Sequence, residues 1–231
     1  MLIASRFNRK NFLGLFLSAV CVLGSPTVHA NIIDNTHGLG AGSFELGIFK
    51  NNGSDFMELA PGATTITGWT VGGQGDGVDW LTTPFFGAQS GLHSVDLVGT
   101  SAGSVSTEIS TTLGQTYELT FYAATVSTGT ALGTVSAGSL VNQTFSAPIT
   151  PSPNFGNQVF APFSFIFTAT GSTTTVSFTS SSSGCLPDCY GPVIDSVGVD
   201  LVSAVPEPST IALLLIGGVF CARTRQGRRA Q

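Results

Sequence analysis

A two-residue alternation of apolar side chains, repeated through the middle of the chain, limits its fold more than any other feature. Val105 and Ile109 lie either side of Thr107. Tyr117, Leu119 and Phe121 follow, then Phe163, Phe165 and Phe167, then Val176 and Phe178, then Val193, Val197, Val199 and Leu201. A period of two puts such side chains on one face of an extended strand, whereas a helix needs returns at three and four residues. Clusters of Gly, Ser, Thr, Asn and Pro separate the runs, as turns separate strands. Roughly nine or ten runs of this kind fit between residues 31 and 203, and none of that span has a convincing helical period. The pattern predicts an all-β fold of two packed antiparallel sheets, a sandwich or jelly roll, without internal repeats. Serine- and threonine-rich stretches such as Ser172–Thr175 and Thr179–Ser183 read as exposed strand faces and loops.

Charge is scarce and unevenly placed. Charged residues make up 9% of the 231, and the mean hydropathy is +0.35, which argues against ordinary disorder. A net charge of −5 and a pI near 4.9 argue against nucleic acid as a partner. The bases sit at the two ends: Arg6, Arg9 and Lys10, then Arg223, Arg225, Arg228 and Arg229. Between Asn31 and Val205 lie twelve acids and one base, Lys50. Such a body repels anionic polymers unless divalent cations bridge them.

The first segment, residues 1–30, reads as a secretory signal. A basic start precedes the apolar run from Phe12 to Leu23, and Val28-His29-Ala30 supplies small residues for cleavage after Ala30. As a helix that run spans only about 18 Å, short of a bilayer, which disfavours a permanent anchor. Cys21 lies inside the apolar run, so it is not a lipoprotein cysteine. The last segment, residues 204–231, has three parts in order: Pro206-Glu207-Pro208, an apolar run from Ile211 to Ala222, and the arginine cluster. The arginines favour the cytoplasmic side, leaving the body outside. The competing reading is a plain tail anchor.

The order of parts in the tail resembles the PEP-CTERM sorting signal. That resemblance implies recognition by an exosortase in a Gram-negative bacterium, transient membrane residence of a short C-terminal hydrophobic helix, and release to the cell surface or extracellular matrix. The body carries Gly42-Ser43-Phe44-Glu45, Pro61 to Trp69, Val78-Asp79-Trp80, Ser94-Val95-Asp96-Leu97, Gly114-Gln115-Thr116-Tyr117, and Gly191 to Val197. This ordered set resembles the choice-of-anchor C surface proteins. The resemblance implies a galactose-binding-like jelly roll over residues 31–203 and a carbohydrate or exopolysaccharide partner. Ala41 stands where the usual opening has Asn.

Several residues are candidates for chemistry. By strand parity Asp195 shares the apolar face of Val193 and Val197, and a buried carboxylate needs a partner or a proton. A calcium ion is one solution; hydration or backbone N–H groups are another. In the jelly-roll modules that the chain resembles, structural calcium is held at positions matching Glu45 and Asp195. Cys185 and Cys189 are the cysteines left in the body, and outside the cytoplasm they suit a short disulfide better than a zinc site. Gly99-Thr100-Ser101-Ala102-Gly103 matches the nucleophile-elbow pattern, but a strand-like segment follows where a helix is needed. Asp76 and Asp79 have no diagnostic glycosidase spacing, and His93 beside Val95 reads as a core-face histidine.

A saccharide platform is expected from Trp80, Phe85 and Phe86 with Gln89 nearby. Against it, Trp69 and Trp80 sit in strand-like segments that favour the core. Adjacent Phe85 and Phe86 cannot both face inward on a strand. With no catalytic constellation in view, the expectation is a non-enzymatic, exported polysaccharide-binding protein. A purely structural matrix or adhesion protein is the alternative, and a secreted hydrolase the third reading.

Overall fold

The computed structural model describes residues 31–51, 53–84, 86–125, 131–149, 155–181 and 190–202. The signal segment with Ala30, Phe85, the cysteines Cys185 and Cys189, and the tail with Pro206, Glu207 and Pro208 lie outside the described residues.

Eleven strands follow in order: β1 (Phe56–Leu59), β2 (Thr70–Gly73), β3 (Val78–Thr82), β4 (His93–Asp96), β5 (Gly103–Ser110), β6 (Thr116–Ala124), β7 (Ala131–Ala137), β8 (Leu140–Ala147), β9 (Ala161–Thr168), β10 (Thr173–Ser180) and β11 (Val193–Leu201). They form a six-stranded sheet, β1-β3-β4-β11-β6-β9, and a five-stranded sheet, β2-β5-β10-β7-β8. All ladders between named strands are antiparallel.

The pairing of β4 to β11 has a simple rule. β4 pairs with β11, β5 with β10, β6 with β9 and β7 with β8, as in a long hairpin whose two arms run side by side. Successive pairs alternate between the sheets, so the hairpin is wrapped around the core. That is jelly-roll topology, a solution in which two sheets bury one face each.

The alternation read from the sequence points inward as expected. In β6 Tyr117, Leu119 and Phe121 are buried and stand opposite Phe167, Phe165 and Phe163 of β9. Phe121 is the hub between the sheets. It stacks on Phe163 at 5.1 Å between ring centres and meets Phe178 and Phe145 of the other sheet edge-on at 4.9 and 5.0 Å. Such aromatic geometries add to the gain from burying the rings.

Two features depart from the sequence reading. A short helix, α1 (Ile32–His37), opens the described chain, with the Asn31 side chain accepting from the Ile33 N–H as its N-cap. At six residues it is too short to show a helical period. The second is a bulge in β11 between Asp195 and Gly198, where Ser196 adopts a φ of 53°. An extra residue reverses side-chain parity. Asp195 therefore pairs with Tyr122 and lies with Val193 on the outer side of its sheet, while Ile194, Val197 and Val199 face the main core.

Candidate functional site

The opening motif Gly42-Ser43-Phe44-Glu45 is a tight turn built against the core. Phe44 is buried although its φ is 58°, an uncommon conformation for a bulky residue. Two buried indoles hold the turn: Trp69 Nε1 donates to the Ala41 carbonyl at 2.9 Å and Trp80 Nε1 to the Phe44 carbonyl at 3.1 Å. Gly42 is required where it stands, because a Cβ there would collide with the Val197 carbonyl of β11. Both tryptophans are thus structural, and Trp80 has no free face for a sugar.

That turn delivers Glu45 to the loop between β3 and β4. Glu45 Oε1 accepts from the Leu92 and His93 N–H groups at 2.9 and 2.7 Å. From the other side, Asp195 Oδ2 accepts from the Gln89 and Ser90 N–H groups at 2.7 and 2.9 Å, and Oδ1 accepts from Ser196 N–H at 2.5 Å. Two carboxylates therefore clamp one loop through its backbone. Burial pushes the Asp195 carboxyl up to about 7, opposed by the three N–H bonds and reinforced by the charge of Glu45.

Calcium does not fit this donor set. The ion takes six to eight oxygens, but N–H hydrogens already point at both Asp195 oxygens and at Glu45 Oε1. Among the described residues no group of three or more His, Cys, Asp or Glu side chains is arranged to hold a metal. The geometry is the one in which backbone N–H groups satisfy the buried carboxylate.

The expected aromatic platform is not assembled among the described residues. Phe86 is 6% exposed and packs with Leu81, Val193 and Phe56 in a small second core outside the six-stranded sheet. Gln89 stays near the surface, where its side-chain oxygen accepts from Ser196 Oγ at 2.5 Å. His93 is satisfied as expected, its Nδ1 3.0 Å from the Leu81 carbonyl and its ring against Phe49 and Trp80. Gly103 begins strand β5 directly after Ser101-Ala102, so the strand-turn-helix of a nucleophile elbow does not form.

A cleft that the sequence reading missed lies at the edge of the five-stranded sheet where β2 meets β5. It has a volume of about 480 Å³ and is lined by His37, Thr64, Gly68, Trp69, Thr70, Ser106, Thr107, Glu108 and Thr175. It forms because β2 begins only at Thr70, opposite Ser106, leaving the far half of β5 unpaired with β2 on that side. His37, at the end of α1, fills part of the gap: its Nε2 lies 2.9 Å from the Glu108 carbonyl and 3.0 Å from Thr107 Oγ1. A carbonyl only accepts, so that nitrogen carries the hydrogen. Around it stand the outward hydroxyls of Thr70, Ser106 and Thr175 and the exposed Glu108 carboxylate. These residues come from four distant segments, and no local motif announces them.

Residues 37–200 match the family model described as a protein of unknown function, DUF642. The chain belongs to the DUF642 family. No curated protein matches it. Among solved structures, this DUF642 chain is similar to a family 35 carbohydrate-binding module from Clostridium thermocellum, with 14% identity, a TM-score of 0.44, and coverage of 59% of this chain and 92% of that one. It is also similar to TmCBM61 in complex with β-1,4-galactotriose, with 13% identity, a TM-score of 0.42, and coverage of 68% and 99%. A third is the CBM22-1 xylan-binding domain of Paenibacillus barcinonensis Xyn10C, with 20% identity, a TM-score of 0.39, and coverage of 65% and 94%.

The DUF642 sandwich separates charge by sheet. The six-stranded sheet carries Glu58, Asp79, Asp96, Glu118, Asp195 and Asp200, whereas Glu108 alone is charged on the strands of the five-stranded sheet. Glu58, Asp79 and Asp96 stand directly opposite one another on β1, β3 and β4. Asp96 is satisfied by the N–H groups of Val98 and Gly191 at 2.9 and 3.1 Å, but Asp79 Oδ1 is buried without a hydrogen bond. Burial, then the charges of Glu58 and Asp76, push the Asp79 carboxyl up to about 7.

Proposed function

We propose that this DUF642 protein is a non-catalytic binding module for a neutral polysaccharide, exported and sorted to the cell surface or extracellular matrix. The cleft beside β2 carries the reading. Its outward hydroxyls and the Glu108 carboxylate supply donors and acceptors at close range, which suits a polyhydroxylated, uncharged ligand. Glu108 is the one carboxylate among its lining residues. Glycoside hydrolysis uses two carboxyl groups flanking the scissile bond, so the lining favours binding over turnover.

Export and sorting are supported by the sequence ends: the Phe12–Leu23 run before Ala30, and the Pro206-Glu207-Pro208, apolar and arginine order after residue 203. An exosortase is the sorting partner this order implies, and the membrane would hold the chain only before cleavage.

Calorimetric titration with neutral polysaccharides, comparing wild type with Glu108→Gln, tests the cleft. Binding that falls about tenfold or more in the variant supports it, since removing one partner of a charge-assisted hydrogen bond costs about 1.5–3 kcal/mol. Binding that is equal in both proteins, or sugar release on incubation, overturns it. The intact mass of the mature protein tests sorting: termini other than Asn31 and a residue near Pro206 contradict it.

A further inference from the structure

An acidic protein gains solubility by placing charge on exposed sheet faces, and exposed uncharged sheets are an aggregation hazard. Here the five-stranded sheet presents an outer face with one carboxylate and no base, while six carboxylates sit on the other sheet. The uncharged face is not apolar either. Ser104, Thr179, Thr134 and Thr144 form one row across β5, β10, β7 and β8, each opposite the next in the ladders. Ser106 and Ser177 begin a second row beside it. None of these six hydroxyls bonds another protein group. The second row runs directly into the cleft, because Ser106 also lines it.

We propose that this hydroxyl face is the continuation of the cleft, so that the ligand is a linear neutral polysaccharide lying across β5, β10, β7 and β8 rather than a single sugar. The inference rests on the cleft reading and adds the length and direction of the ligand. Four strands at the usual sheet spacing cover about 14 Å, on the order of three pyranose units. Among the described residues the strands of this face point no aromatic ring outward, so the contact is through hydrogen bonds. Each of these exchanges a bond to water for one to sugar and yields little by itself, about 0.5–1.5 kcal/mol. A chain that meets several rows pays the cost of immobilisation once and collects several such gains. Uncharged hydroxyls also spare a neutral chain the desolvation of fixed charges, whereas an anionic chain would be repelled by the acidic remainder of the molecule.

The test titrates the full chain with neutral β-1,4-linked galactan, xylan and glucan fragments from monosaccharide to hexasaccharide. Three proteins are compared: wild type, the double variant Thr134→Val with Thr179→Val, and Glu108→Gln. The valines keep shape and strand preference at solvent-facing positions, so the fold is retained, and a melting curve verifies it. The expected result is affinity that rises at least tenfold from disaccharide to tetrasaccharide in wild type. The double variant should lose about tenfold for the hexasaccharide and nothing for the shortest fragment that binds. Affinity independent of length, or a hexasaccharide indifferent to the valines, overturns the extended face and leaves the cleft standing. Binding that survives unchanged in Glu108→Gln, or absence of binding to every fragment, removes the cleft reading and the extended face together.

Discussion

The two sheets share one core but differ in almost everything they show to solvent. The six-stranded sheet carries six carboxylates, of which Asp96 and Asp195 are buried, with loops clamped over part of its outer side and a second small core around Leu81, Phe86 and Val193. The five-stranded sheet faces out with serine and threonine, and α1 packs against both β5 and β11 with Ile33 in the shared core. Both inner faces obey the same apolar rule, so the difference is one of outward residues alone. On the five-stranded sheet the outward hydroxyls of Ser104, Thr134, Thr144 and Thr179 make no bond within the protein, which leaves them available for binding, whereas on the six-stranded sheet the outward Asp195 fastens a loop.

The largest effect should come from breaking what the sheets share. Phe121→Ala removes the ring between Phe163, Phe145 and Phe178 and should cost about 3–5 kcal/mol in a denaturant melt. Ser177→Ala on the outer five-stranded face should stay within about 0.5 kcal/mol. Equal losses for the two would mean that the outer face is structural.

Next comes the loop clamp of the six-stranded side. Asp195→Ala removes the carboxylate that accepts from the N–H groups of Gln89 and Ser90 and fastens their loop, a loss of roughly 2 kcal/mol. Chelator should not move the melting temperature of wild type. A chelator-dependent drop that disappears in Asp195→Ala would restore calcium at Glu45 and Asp195.

The acid row makes a third contrast, in pH. The Asp79 carboxyl is raised to about 7 by burial and by Glu58 and Asp76, and Asp195 is raised in the same direction. A group raised in the folded state binds its proton there more tightly than in the unfolded chain. Its contribution is therefore complete below about pH 4 and is lost as pH climbs through 7. Unfolding free energy should fall between pH 4 and 8, and Asp79→Asn should flatten a large part of that decline. A profile that rises over this range, or one unchanged in Asp79→Asn, would contradict the burial of Asp79 between two carboxylates.

The smallest stability effect belongs to the cleft. Glu108→Gln changes an exposed side chain whose backbone, not its carboxylate, holds His37, so melting should shift by no more than about 0.5 kcal/mol. A large destabilisation would make Glu108 part of the scaffold and not of the binding surface.

Legibility in the sequence followed chain distance. Strands β5, β6, β9 and β10 were written in plain alternation, because a pleated strand buries every second residue whatever it pairs with. Helix α1 was not, since one and a half turns cannot display a 3.6-residue period. The cis peptide bond between Thr83 and Pro84 and the left-handed Phe44 had no local signature either. Asp195 was correctly singled out as a buried carboxylate needing partners. Its face was misread because a single inserted residue at the bulge turned the side chain to the other side of the sheet. Trp80 and Phe86 were candidates for a sugar platform, and the structure places both in cores.

By itself the sequence determined the all-β class, the two-sided burial of the sandwich and the concentration of bases at the ends, since all three depend on spacing and residue type along the chain. Tertiary structure decided the rest. The order of strands sent six carboxylates to one sheet and one to the other, the bulge set the direction of Asp195, and His37, Thr70, Glu108 and Thr175 met because β2 begins only opposite Ser106 of β5. Those outcomes depend on which segments become neighbours in space, and no local period records that.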